Sequence, residues 1–189
     1  MDEPESLPTT DAAAVAVVAA IRSGDDEFLS QLLIERAGLA TARLVYQCGV
    51  ARTLLHVVTD WPGYFPNGPR TVERLLAAGA DPDAATIGGS QPETPLHWAA
   101  SSDDLEVAEA LIAGGAAIDV PGGSIGTPVE NAVGYGCCEY LQHYNAHRPH
   151  RSLDQRPPAG GTPTRPGASL RPLRRDRLSG LIHEYVQVA

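Results

Sequence analysis

One short pattern recurs along the chain and limits what it can fold into. "TLLHVVTD" begins at Thr53, "TPLHWAAS" at Thr94 and "TPVENAVG" at Thr127, so the spacings are 41 and 33 residues. The first two copies are followed by similar endings, "VERLLAAGAD" at 72–81 and "AEALIAGGAA" at 108–117. From Thr94 to Gly115 is 21 residues and from Thr53 to Gly79 is 26; the extra five fall in "DWPGYFPNGP", residues 60–69. A fainter copy, "VVAAIRSGDDEFLSQLLIE" at 17–35, carries Gly24, Leu32 and Leu33 at matching offsets. Units this small cannot bury an apolar face alone, so they must stack on one another.

The copy at 94–117 shows why each unit should be a helix pair. The Thr94 hydroxyl can cap a helix, and Pro95 suits the first helical position because it has no N–H to leave unpaired. Leu96, Ala99 and Ala100 recur at helical spacing, with Trp98 expected in the core. Asp103 and Asp104 end that helix and favour the start of the next. Leu105, Val107, Ala108, Leu111 and Ile112 form its apolar stripe, and Gly115 suits a left-handed end.

The Thr-Pro-Leu-His-x-Ala-Ala run with its second helix and Gly-Ala-Asp ending resembles the ankyrin repeat. The resemblance spans residues 12–138, best at 94–117, with the insertion at 53–81, and faintly at 15–35 and 127–136. It implies an all-α ankyrin-repeat solenoid of about three units plus a truncated fourth, working by non-enzymatic protein–protein contact. It also implies that His56 and His97 lie inside the stack, bonded near the helix starts, as structural rather than catalytic groups.

The pattern stops inside its last copy. A second helix is due at 137–148 with a Leu-Leu pair, but the chain supplies Tyr144, Asn145 and Arg148, then Pro149, Pro157 and Pro158. "YLQHYNAHRPHRSLDQRPP" at 140–158 resembles the C-terminal end of the catalytic domain of integrase-type insertion-sequence transposases, and "RRDRLSGLIHEYVQVA" at 174–189 is similar to the extreme C-terminus of such proteins. The resemblance implies a fusion of a repeat protein with a catalytically dead transposase remnant; the rival reading is an integration-related protein with a DNA-binding tail. That family's chemistry uses three carboxylates around metal ions. Glu106 and Glu109 stand on a repeat helix and receive no catalytic role.

Charge divides the chain at the same place. Residues 1–138 hold 6 Arg against 19 Asp and Glu, net −13, whereas 139–189 hold 8 Arg against 4 acids, net +4; there is no Lys. An acidic body repels phosphates, which disfavours nucleic acid as a partner. "AAAVAVVAAI" at 12–21 follows acidic residues, unlike a secretory leader, and ten residues do not span a bilayer. Three Cys, two of them adjacent, form no disulfide framework, so a cytoplasmic chain without membrane contact is expected.

Candidate sites follow from these segments. Cys137, Cys138, His143, His147 and His150 lack zinc-ligand spacing, so no metal is expected, and with no Lys the Gly-rich runs cradle no phosphate; no cofactor is expected. The aromatics Trp61, Tyr64 and Phe65 crowd the insertion, and with Asp83, Ser101 and Ser102 they are the expected partner-binding residues. Arg148, Arg151, Arg174 and Arg175 are the candidate nucleic-acid contacts of the tail, weighed against a solvated reading.

The expected organisation is a tail at 1–11, repeats at 12–138, the transposase-like helix and motif at 139–153, a Pro/Arg-rich linker at 154–173 and a short helix at 174–189. Tyr140, Leu141 and Tyr144 share one side of a helix and could cover the open end of the third unit. Residues 154–176 contain five Pro and three Gly, too little apolar surface to pack. Limited proteolysis is therefore expected to cut there before it cuts within 94–117; first cuts inside 94–117 would overturn this boundary.

Overall fold

The computed structural model describes residues 4–147, 171–177 and 182–188. The chain forms two compact units, Met1–Asn145 and Ala146–Ala189. In the first, helices pair as hairpins: α1 (Ala12–Ser23) with α2 (Asp26–Glu35), α3 (Leu54–Val58) with α4 (Gly68–Ala77), and α5 (Pro95–Ser101) with α6 (Leu105–Ala113). A fourth pair follows, α7 (Pro128–Tyr135) and α8 (Cys138–His147). Helix α1 packs on α3, α3 on α5 and α5 on α7, while α2 packs on α4 and α4 on α6, giving two helix layers.

Local chemistry explains the boundaries. Asp11 starts α1 by accepting from the Ala13 and Ala14 amides, and Asp25 and Asp104 do the same for Phe28 and Val107. Asp103, at φ +56, turns the chain between α5 and α6. Small side chains set the spacing of the layers: Ala14, Ala20, Ala99, Ala100, Ala108 and Ala132 are all buried. Leu54, Leu55, Leu75, Leu96 and Leu111, each fully buried, fill the space between.

The all-α expectation needs correction. β1 (Ser6–Pro8) runs parallel to β2 (Arg43–Val45), which pairs antiparallel with β3 (Ala51–Thr53), in registers Leu7↔Leu44 and Leu44↔Arg52. Alternation is the cause: Leu44 is buried between half-exposed Arg43 and Val45, and Ala51 and Thr53 are buried around Arg52. The expected tail at 1–11 therefore includes a strand, with Leu7 buried and Glu5 paired to Arg36. Trp98 is half-buried rather than core, because its indole N–H reaches out to the Glu93 carboxylate at 2.9 Å.

The C-terminal unit also differs from expectation. In place of a helix over 174–189, β4 (Arg171–Arg177) and β5 (Ile182–Val188) pair antiparallel, with Arg174 opposite Tyr185. "IHEYVQV" places Ile182, Val186 and Val188 at alternate positions with Glu184, a period that suits a strand.

The fourth hairpin is completed by sequence unlike the others. Gly136 turns at φ +75, the Cys137 amide returns to the Ala132 carbonyl, and α8 then lays Tyr140 and Tyr144 into the core. Their rings lie 6.5 Å apart, near parallel. The Tyr140 amide is held by Asp103 and the Tyr144 hydroxyl donates to Asp119. Leu141 packs only partly against the same core. The Tyr140 hydroxyl is buried and has no hydrogen-bond partner among the described residues.

Tyr140 rather than Leu141 is therefore the cap. Tyr140→Ala is expected to cost about 3–5 kcal/mol in urea unfolding, as for a buried aromatic, and Leu141→Ala less than the 2–5 kcal/mol of a fully buried Leu. Tyr140→Phe should be neutral or stabilising, since it removes an unpaired buried hydroxyl. A large loss for Tyr140→Phe would overturn this account.

Candidate partner-binding surface

The insertion at 60–69 is not a free loop. Asp60 pairs with Arg22 at 3.2 Å and Arg52 at 3.3 Å, anchoring its start. Gly63, Tyr64 and Asn67 all take positive φ, at 76°, 55° and 58°, a conformation that costs energy for the two non-glycine residues unless neighbours hold them. Neighbours do. The Tyr64 amide donates to Asp104 Oδ2 at 2.6 Å, and the Tyr64 hydroxyl donates to the Asp103 carbonyl at 2.6 Å. The Asn67 side-chain amide donates to the Gly24 carbonyl at 2.7 Å. A Cβ at Gly24 would lie 2.3 Å from the Pro66 carbonyl oxygen, so the turn between α1 and α2 must be glycine for the loop to settle there. The loop is thus a strap fixed near both ends to the first hairpin, through Asp60 and Asn67, and at its middle to the third, through Tyr64.

This strapping sorts the three aromatics. Phe65 is half-buried, whereas Trp61 is 81% exposed and Tyr64 61% exposed. Between the strap and the start of α6 lies a cleft of about 440 Å³, lined by Tyr64, Phe65, Pro66, Arg70, Asp104 and Val107 among others.

The remaining expected partner contacts, Asp83, Ser101 and Ser102, are half-buried and hydrogen-bonded within the chain. The Asp83 carboxylate accepts from the Ala117 amide at 2.9 Å, tying the turn after α4 to the turn after α6. The Ser101 hydroxyl donates to the Trp98 carbonyl, and the Ser102 hydroxyl donates to the Thr59 carbonyl beneath the strap. Arg148 and Arg151 lie outside the described residues; Arg174 and Arg175 stand on β4. Sequence reasoning missed Asp103 and Asp104 as strap anchors, because both read equally well as ordinary helix-boundary residues.

The two buried histidines are structural. His56 Nδ1 accepts from the Thr53 amide at 3.3 Å and lies 2.9 Å from the Thr53 hydroxyl, so Nε2 carries the proton and donates to the Glu93 carbonyl at 2.8 Å. His97 repeats this with the Thr94 amide at 3.1 Å and the Gly126 carbonyl at 3.1 Å. In α7, Glu130 stands in the corresponding place and its carboxylate accepts from the Thr127 amide at 2.7 Å. Among the described residues the candidate metal side chains do not converge: Cys137 is buried with its thiol on the Ser101 carbonyl, Cys138 is exposed, and His143 faces Glu109 at 3.1 Å. His147 ends α8 and His150 lies outside the described residues. No group of three or more His, Cys, Asp or Glu suited to a metal ion occurs among the described residues. Nor is any helix among them long and apolar enough to cross a membrane.

Comparison with known families agrees with the repeat at its best-formed copy: the ankyrin repeat model matches residues 93–122. No curated protein matches the chain.

Burial, opposed by the Glu93 carbonyl and reinforced by Arg52 and Arg43, lowers the His56 pKa from 6.5 to about 4. A histidine with a lowered folded value binds protons more readily when unfolded. Its stabilisation is therefore whole above 6.5 and is lost as pH falls through the interval to 4. Burial also lowers the His97 value, adding to the same trend. Urea unfolding should show stability falling by up to about 1.4 kcal/mol per pH unit for His56 across that interval. A flat profile there would show that His56 is not buried neutral.

Proposed function

We propose that the chain is a non-enzymatic protein-binding module: an ankyrin-repeat solenoid of about three units, closed by a fourth hairpin of divergent sequence, that engages a protein partner through the strap at 60–69. The observation that carries this reading is the pair of exposed aromatic rings, Trp61 and Tyr64, on a loop hydrogen-bonded to the first hairpin through the Asn67 side chain and to the third through Tyr64. Exposed aromatics on a fixed loop lose little conformational freedom on binding, which is what makes such residues effective anchors. The ankyrin match at 93–122 supports the class of function, since repeats of that family serve as interaction scaffolds. Residues 139–189 are read as a transposase-like remnant that adds no activity of its own, and the protein as cytoplasmic; both rest on sequence alone.

Selection of a random dodecapeptide display library against the full chain tests the binding role. Trp61→Ala alters a side chain that is mostly in solvent, so its melting temperature should match that of the parent chain. Peptides selected by the parent chain are expected to lose binding to Trp61→Ala and to Tyr64→Ala. Selected peptides that bind both variants as well as the parent would place the partner surface elsewhere.

A further inference from the structure

Acidic side chains gather beside Tyr64: Glu106 and Glu139 are exposed, whereas Asp104 is buried at the start of α6. Asp103, Asp104, Glu106 and Glu139 surround this end of the strap, and no Arg forms an ion pair with any of them among the described residues. The hydrogen bonds to Asp103 and Asp104 come from neutral backbone groups. Asp104 accepts from the Val107 and Tyr64 amides, and Asp103 accepts from the Glu139 and Tyr140 amides. Arg70, which lines the far end of the cleft, is paired with Asp26 at 2.9 Å, and Asp26 is shared with Arg74.

The Tyr64 ring stands among these carboxylates. Its hydroxyl is tied to the Asp103 carbonyl, so the tip of the ring is held in place. Desolvation first, and then the charges of Glu139, Asp103 and Asp104, push its phenol pKa up, in keeping with an acidic setting. Trp61 stands earlier on the same strap, more exposed still.

From the exposed rings, the apolar cleft wall of Phe65, Pro66 and Val107, and the uncompensated carboxylates, we infer that this surface takes an extended segment of a partner protein bearing arginine. A guanidinium is suited to both features at once. Its flat face stacks on an aromatic ring, while its N–H groups donate to carboxylates at the edge. A lysine ammonium is more strongly hydrated and offers no flat face, so it meets only the charge. An acidic segment would meet repulsion from the exposed carboxylates of Glu106 and Glu139. This inference rests on the protein-binding reading above and adds the chemistry of the partner to it.

The same display selection separates the two. The dodecapeptides that depend on Trp61 should be enriched in arginine over the starting library. A selected peptide, resynthesised with citrulline in place of arginine, keeps the shape and loses the charge. It should bind the full chain about tenfold more weakly, the size expected for a cation–ring contact joined to an ion pair. Glu106→Gln with Glu139→Gln should weaken the arginine peptide similarly and leave the citrulline peptide unchanged, and the difference should shrink as salt is raised. Trp61-dependent peptides without arginine enrichment, or equal binding of the arginine and citrulline forms, would overturn the cationic preference and leave the binding role standing. Absence of any Trp61-dependent peptide would overturn both.

Discussion

The stack depends on a hydrogen-bond relay through buried histidine. In the second and third hairpins one imidazole does two jobs: Nδ1 closes the helix start against the threonine that precedes it, and Nε2 donates forward to a carbonyl leading into the next hairpin. Only a neutral ring can accept at one nitrogen and donate at the other, so the surrounding core must keep the ring uncharged. The complete burial of His56 and His97 meets that need. The local cap and the spacing of successive units are thereby set by the same side chain.

A second constraint crosses the array. The strap at 60–69 interrupts the regular helix pair α3/α4, yet it is bonded to residues on both sides, at Gly24 and at Asp103–Asp104. The insertion therefore adds long-range contacts instead of a slack segment. Its left-handed residues, Tyr64 and Asn67, are held by partners remote in sequence. The same bonds that hold the backbone turn two aromatic rings toward solvent, so the surface proposed for binding and the stability of the first three hairpins share one set of interactions.

Much of this was legible in the residues. Thr94, Pro95, His97 and Gly115 announce where the third hairpin starts and stops, because each acts on its immediate neighbours. The short strands did not show themselves: β1, β2 and β3 have three residues each, too few for alternation to stand out. The 60–69 insertion was located but its anchoring was not, since Tyr64 meets Asp104 across 40 residues of sequence and nothing local marks that meeting. At 182–188 alternate Ile, Val and Val fit the strand that forms there, although 174–189 reads as a short helix. Tyr140 and Tyr144 were placed correctly on one helical side because helical spacing is a local property. That Tyr140 outweighs Leu141 depends on depth in the core, which spacing does not encode.

Glu130 has a consequence beyond its own helix. It occupies the place of the relay histidine and closes its cap in the same way, but an ionised carboxylate has no proton to pass forward. The hairpin it belongs to can receive from its predecessor and can hand nothing on. The fourth hairpin thus closes its own start by the same chemistry as the second and third, but lacks the forward hydrogen bond that His56 and His97 make.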